Sequence, residues 1–409
     1  MILLFVIDFD FDFFTDEKIK IKISSSVSVS VLPLSHPHTH THTHHIQQVP
    51  FDDASLETIF EKIVGWSLGS KEQKVPGSPS FPSSVRKVGD ACVKASISLY
   101  NSVMSNLLPT PLKSHYTFNL RDLSKVFQGL SQCDANDVDE PVKFIRMWGH
   151  ECCRVFKDRL VSFEDHEIFQ TCLNEVCQKE LKTTWEKAQG ENVPLLYGNF
   201  SNVQLDAERR TYVEMGEHPV LQEACKEYLD DFNATSKKPM DLVLFMDAIS
   251  HCARIARIIQ QPYGNALLVG VGGSGRRSLT ELAVSISEMK LVQIEISKTY
   301  GMTEWRDDLK VLLRSAGEDG KDTVFLFADT QIKNEDFVED INNILNTGEV
   351  PNLFESDEKA AICETLQRSA KEAGMDDPST TELLAFFNKR TREHLHIILA
   401  FSPVGDAFR

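Results

Sequence analysis

The feature that most constrains this chain is the stretch Gly264-Asn265-Ala266-Leu267-Leu268-Val269-Gly270-Val271-Gly272-Gly273-Ser274-Gly275-Arg276-Arg277-Ser278. An apolar run, Ala266 to Val271, meets a glycine-rich turn, and the turn opens into a helical segment, Ser278 to Ile286. A strand feeding a helix through glycines is the layout of a phosphate-binding P-loop. The glycines let backbone N–H groups curl around a phosphate, and the helix N-terminus adds its positive end. The pattern GxxxxGK[ST] is kept at Gly270 and Gly275 but changes at its chemical end. Arg276 stands where the Lys belongs, and Arg277 where a hydroxyl would bind Mg²⁺. The loop reads as built to hold a nucleotide and poorly built to hydrolyse it.

What surrounds the loop strengthens that reading. Four short apolar runs, Ala266–Val271, Leu291–Ile296, Val324–Ala328 and His396–Phe401, alternate with helical patterns such as Trp305, Leu309, Leu312, Leu313 and Phe337, Ile341, Ile344, Leu345. Strands alternating with helices predict a parallel α/β sheet flanked by helices. The third run ends in Asp329, the acidic strand end that contacts Mg²⁺ directly or through water in P-loop NTPases. The next position usually carries the Glu that polarises the attacking water. Here it is Thr330, whose hydroxyl is a poor base, so hydrolysis is expected to be slow. The fourth run ends in Ser402, placed to orient water beside a γ-phosphate, as the sensor-1 residue of AAA+ ATPases does. An Arg at 276 can still pair with phosphate oxygens, without copying the point charge of a Lys.

The chain has 409 residues, room for two or three domains. We expect a low-complexity tail at 1–50, a mostly helical block at 51–190, a less regular bridge at 191–240 with an acidic helix near Pro219–Phe232, and the α/β part at 241–409, opened by a helix from Asp241 to Ile259. The tail, expected to be disordered, carries Ser/Val alternation that suits an edge strand without a visible partner. It also carries six histidines between His36 and His45, able to bind Zn²⁺ or Ni²⁺ adventitiously. In the helical block, Ser55 is a plausible helix N-cap. Leu120, Leu123, Val126, Phe127 and Leu130 share one helix face. The net charge of −17 argues against nonspecific nucleic-acid binding. No apolar run approaches the ~18 residues that span a bilayer. Nine cysteines without a C-x-x-C pair, Cys152 and Cys153 among them, read as reduced thiols.

Longer runs carry a family resemblance. The P-loop, Asp329 to Lys333, Glu339 to Phe354, and Ser402 to Arg409 together resemble the fourth AAA+ module of an axonemal dynein heavy chain. Leu108 to Pro111 and Lys113 to Phe127 look like the lid of the third module. The resemblance covers about residues 51–409 and leaves 1–50 out. It implies a segment of an ATP-driven, minus-end-directed microtubule motor, in which this module binds ATP or ADP with Mg²⁺ at a regulatory site. The nucleotide contacts would be Gly270, Gly272, Gly273, Ser274, Gly275, Arg276, Arg277, Ser278, Asp329 and Ser402, with Asp329 the Mg²⁺ ligand. Arg121 matches the sensor-2 arginine of the third module's lid, and Arg409 falls where an inter-module arginine-finger run begins. Arg at 276 is usual in this family's fourth modules; at 277 most of them have Gln.

The resemblance further implies partners: the remaining heavy-chain modules, dynein intermediate and light chains, and microtubules, with no nucleic acid and no membrane. It implies a place in the cytoplasm and cytoskeleton, in the axoneme of a cilium or flagellum. Nothing in the sequence resembles the stalk, the microtubule-binding tip or the fourth module's own lid, so the polypeptide is expected to be a fragment with little or no hydrolysis of its own. Two other readings stand beside this one: a stand-alone P-loop ATPase, and a non-catalytic interaction segment of a dynein ring.

Overall fold

The structure is a computed structural model, and it describes residues 3–7, 51–69, 81–190, 194–205 and 209–403. The first half is helical. Helices α1 (Asp53–Ser67), α2 (Ser83–Asn106), α3 (Leu120–Leu130), α4 (Pro141–Val155), α5 (Phe163–Glu180) and α6 (Trp185–Gln189) enclose one core. Local chemistry sets their starts. Asn119 caps α3 in a capping box with Asp122, an arrangement worth about 0.5–2 kcal/mol. Ser162 and Thr184 cap α5 and α6. The cap of α1 is Asp52, whose carboxylate accepts from the Ser55 N–H, so Ser55 lies inside the helix and not at its cap. A carboxylate accepts the exposed N–H groups of a first turn more strongly than a hydroxyl does.

The bridge holds more order than its sequence suggests. A two-residue hairpin, β2 (Tyr197–Gly198) with β3 (Val213–Glu214), precedes α7 (His218–Thr235). Helix α8 (Met246–Ile259) begins five residues later than expected. The stretch before it is irregular and tied down by α7. Asn233 bonds the Met240 N–H and carbonyl, and Gln222 bonds the Leu244 carbonyl.

The α/β part contains β4 (Asn265–Val269), α9 (Arg276–Ile286), β5 (Lys290–Val292), α10 (Met302–Leu313), β6 (Thr323–Ala328), α11 (Glu335–Thr347), α12 (Ser356–Glu372), α13 (Thr380–His394) and β7 (Leu395–Phe401). With β1 (Leu3–Ile7) at one edge, strand order is β1-β4-β7-β6-β5, with β4, β7, β6 and β5 mutually parallel. Alternation along β6 divides the core. Val324 and Leu326 join a cluster with α7, α8 and α9, while Phe325 and Phe327 join one with α10 to α13. Both faces of the sheet are therefore covered, which is why its strands read as continuous apolar runs.

Strand β1 (Leu3–Ile7) belongs to the tail. It pairs antiparallel with β4, Leu3 opposite Val269 and Ile7 opposite Asn265. The edge of β4 offers unpaired backbone groups, and a run of five large apolar residues with high strand propensity suits it. The Ser/Val stretch and the histidine run lie outside the described residues. All nine cysteines are free thiols, and Cys152 and Cys153 are buried in α4.

Candidate functional site

Register brings the site together. Val269 of β4 is level with Phe401 of β7, and Ala328 of β6 is level with Ala400 of β7. The residues that follow these strands, Gly270, Ser402 and Asp329, therefore leave the same end of the sheet side by side. In an open parallel sheet, that carboxyl end is where ligands bind. The strands are locked at their other end by two side chains. Asn265 Oδ1 accepts from the Ile397 N–H at 2.8 Å, and buried His396 contacts the Gly264 carbonyl at 2.9 Å through Nδ1.

The loop leaves β4 with the Gly270 N–H donated to Phe401 O, so its first residue stays in the sheet. Gly273 and Gly275 then adopt φ of +81° and +82°, the left-handed region that favours glycine. A Cβ added at Gly272 or Gly273 would meet nothing within 4 Å, so the mouth of the loop is open. Helix α9 starts at Arg276 with no side-chain cap, which leaves its first N–H groups facing that mouth. Two polar atoms here are buried without a hydrogen-bond partner: Ser274 Oγ and Arg276 Nη1. Arg276 Nη2 reaches Val271 O only at 3.5 Å. Buried polar atoms are ordinarily satisfied, so these two leave unused hydrogen-bonding capacity at the mouth of the loop.

Both oxygens of the acidic strand end accept backbone N–H groups. Asp329 Oδ2 accepts from the Ser402 N–H and Oδ1 from the Thr330 N–H, both at 2.8 Å. Its pKa lies below the ordinary carboxylate value. Partial burial works against that, but the donors at Ser402 and Thr330 and the Arg276 charge outweigh it. Thr330 Oγ1 accepts from Arg277 Nη2 at 2.8 Å. The two positions where the motifs depart from their usual residues thus touch each other, 53 positions apart in sequence.

Of the residues singled out from sequence, Gly270 to Ser278, Asp329, Thr330 and Ser402 converge on this end of the sheet. Ser402 arrives through its backbone N–H. Arg121 lies elsewhere, half-buried at the first turn of α3 in the helical half, its N–H given to the Asn119 cap. Arg409 lies outside the described residues.

Sequence reasoning missed the junction between the two halves. Glu151 of α4 is 0% exposed and pairs with Arg257 of α8, which is 5% exposed. The Tyr212 hydroxyl donates to Glu151 at 2.7 Å, and His150 Nδ1 lies 3.1 Å from it. Burial would raise the Glu151 pKa, but Arg257 and His150 hold it well below the usual range. Burial pushes His150 down to about 4, against the pull of Glu151. A Cβ at Gly129 would lie 1.8 Å from Glu151 Oε2, so a glycine there makes room for the carboxylate. The signal was present: Glu151 follows Trp148 by three positions, on the apolar face of α4.

A glycine loop between strand and helix, with an acidic and a polar strand end beside it, is the large domain of an AAA+ P-loop protein, here preceded by a helical unit. Comparison agrees for both the helical and the α/β part. Residues 240–409 match the family described as "P-loop containing dynein motor region D4", and residues 92–188 match "AAA+ lid domain".

The chain belongs to the axonemal dynein heavy chain family. It is 44% identical over 364 residues to "Dynein axonemal heavy chain 1" of Homo sapiens, covering 88% of this chain and 8% of that protein. Identity is 44% over 355 residues to "Dynein axonemal heavy chain 6" of Homo sapiens, covering 87% and 8%. It is 40% over 371 residues to "Dynein axonemal heavy chain 3" of Mus musculus, covering 88% and 9%. The chain thus corresponds to less than a tenth of the length of these relatives. Among the described residues, no helix is long and apolar enough to cross a membrane.

Proposed function

We propose that the loop Gly270–Ser278 holds ATP or ADP as a regulatory ligand and turns it over slowly or not at all. The observation that carries this reading is the pair of orphaned polar atoms, Ser274 Oγ and Arg276 Nη1, in an open glycine loop at the uncapped start of α9. Phosphate oxygens would satisfy both atoms and the first N–H groups of the helix. Slow turnover follows from Thr330: its hydroxyl is held as an acceptor by Arg277 and cannot act as the general base.

Mg²⁺ is a poorer fit than the nucleotide. Asp329 is the single carboxylate expected to contact it, and both its oxygens already accept backbone N–H groups. The hydroxyl ligand is replaced by a guanidinium, which has no acceptor atom. Among the described residues, no group of three or more His, Cys, Asp or Glu is placed to hold a metal.

In this reading, 51–190 acts as the lid of the preceding module, 191–240 as the bridge and 241–409 as the nucleotide-binding large domain. Arg121 senses nucleotide in the preceding module, and Arg409 opens the arginine-finger run toward a neighbour. The segment serves an ATP-driven motor that moves along microtubules in the axoneme of a cilium or flagellum. Its partners are the other modules of the ring and the motor's intermediate and light chains. Equilibrium binding of a fluorescent ATP analogue tests the core of this reading. We expect saturable binding that Arg276→Ala removes, with phosphate release near background; rapid turnover abolished by Asp329→Ala would favour a stand-alone ATPase.

A further inference from the structure

We propose that the Arg277 guanidinium supplies, from within the chain, the positive charge that a divalent cation brings to a P-loop, so that nucleotide binds here without Mg²⁺. The inference rests on the nucleotide reading above and adds the ionic requirement of that site.

A metal in a P-loop site bridges two elements: the first turn of the helix, through a hydroxyl, and the acidic strand end, directly or through water. In this chain a covalently attached cation makes the same bridge. Arg277 sits in the first turn of α9, in the hydroxyl's position, and its Nη2 donates to Thr330 Oγ1 at 2.8 Å, one residue past Asp329. Thr330 therefore anchors the guanidinium at the strand end.

The geometry leaves the arginine donors to give. A guanidinium carries five N–H groups in a planar fork, and Thr330 takes one. Arg277 is exposed, in the helix turn that directly follows the glycine loop, so the rest of the fork is open to bidentate contact with phosphate oxygens, the strongest pairing available to it. Arg276 adds a second guanidinium one residue earlier. Two fixed positive charges then face the phosphates. The Asp329 carboxylate meanwhile is neither free nor paired with a hydroxyl ligand, being tied to the Ser402 and Thr330 N–H groups. A divalent ion entering this gap would meet the Arg277 charge at close range, which repels it.

The test is nucleotide affinity with and without metal. A fluorescent ATP analogue is titrated into the full chain in EDTA and again in millimolar Mg²⁺. Parallel samples carry Mn²⁺ in place of Mg²⁺, and protein-bound Mn²⁺ is read by electron paramagnetic resonance. We expect affinities within about twofold in the two buffers and no protein-bound Mn²⁺ signal. In Arg277→Ser, which restores the hydroxyl, affinity in EDTA should fall by about tenfold, the scale of a lost charge-assisted hydrogen bond. Mg²⁺ should recover it, and bound Mn²⁺ should appear. If that variant unfolds, Thr330→Val removes the anchor instead and should weaken metal-free binding, with helicity by circular dichroism as the folding control. Wild-type binding that needs Mg²⁺ would overturn this inference and leave the nucleotide reading standing. No binding in either buffer would overturn both.

Discussion

The junction around Glu151 and the mouth of the P-loop both gather arginines, yet they treat them in opposite ways. At the junction, a 0% exposed carboxylate meets Arg257, the Tyr212 hydroxyl and His150, so every charge there has a partner inside the protein. At the loop, Arg276 Nη1 and Ser274 Oγ are buried with none. Burying charge is tolerated only with such partners, and leaving polar atoms unmet has a standing cost. The junction is therefore complete as folded, whereas the loop keeps two polar atoms without a partner inside the chain. Changes at the first should register in stability, and changes at the second in binding.

The largest effect expected is at the junction. Glu151→Ala leaves Arg257 buried without its counter-charge, and removing one partner of a buried pair is worth about 3–5 kcal/mol. Urea denaturation measures it. Pairing the change with Arg257→Met, which removes the stranded charge, should return most of the loss. A loss under about 1 kcal/mol for Glu151→Ala alone would erase the distinction drawn here. Next comes Gly129→Ala, whose methyl would collide with Glu151 Oε2. Overpacking of this kind destabilises by about 1–3 kcal/mol, and the cavity made by Glu151→Ala should relieve it in the double variant.

A pH titration probes the same junction more gently. Below pH 6.5 the unfolded chain takes up a proton at His150 that the folded chain refuses until about pH 4. His251, on α8, is held down to about 4 by burial and by Arg254. Stability should therefore fall as pH drops from 6.5 to 4. It should fall further below about 4.5, where the unfolded chain protonates Glu151 and the folded chain resists. Thermal melts across this range, repeated with His150→Gln, check the assignment: the variant should show a shallower slope between pH 6.5 and 4.

Much of the loop side was legible in sequence because its signals are local. Gly270 to Gly275, the β6 run ending at Asp329 and the β7 run ending at Ser402 each announce themselves within a few residues. The sheet register then converts those separate ends into one site. What could not be read is what depends on distance through space. The Arg277–Thr330 contact joins residues 53 apart, and the Glu151–Arg257 pair joins residues 106 apart. Strand β1 was hidden for the same reason: Leu3–Ile7 has strand propensity, but its partner, the edge of β4, lies more than 250 positions away. The start of α8 was not legible either, since nothing in Asp241–Phe245 shows that α7 side chains bind this stretch and keep it out of the helix.

The smallest effect on stability, and the sharpest contrast with Glu151, is expected for Arg276→Ala. Its guanidinium makes one long hydrogen bond, to Val271 O at 3.5 Å, carries an unmet nitrogen, and otherwise acts only through its charge near Asp329. Truncation should therefore change the stability of the ligand-free chain by no more than about 0.5 kcal/mol, the range of substitutions that break no named interaction. The same truncation should remove most of the protection that nucleotide gives. A ligand present at about a hundred times its dissociation constant adds about 2.7 kcal/mol, which a thermal melt resolves easily. Melting the wild-type chain and Arg276→Ala with and without ADP separates the two quantities in one experiment. A variant as protected as the wild type would mean that the orphaned nitrogen is not what the nucleotide satisfies. A variant that melts far below the wild type without nucleotide would mean that Arg276 supports the fold as Arg257 does, and that the two regions are not opposites after all.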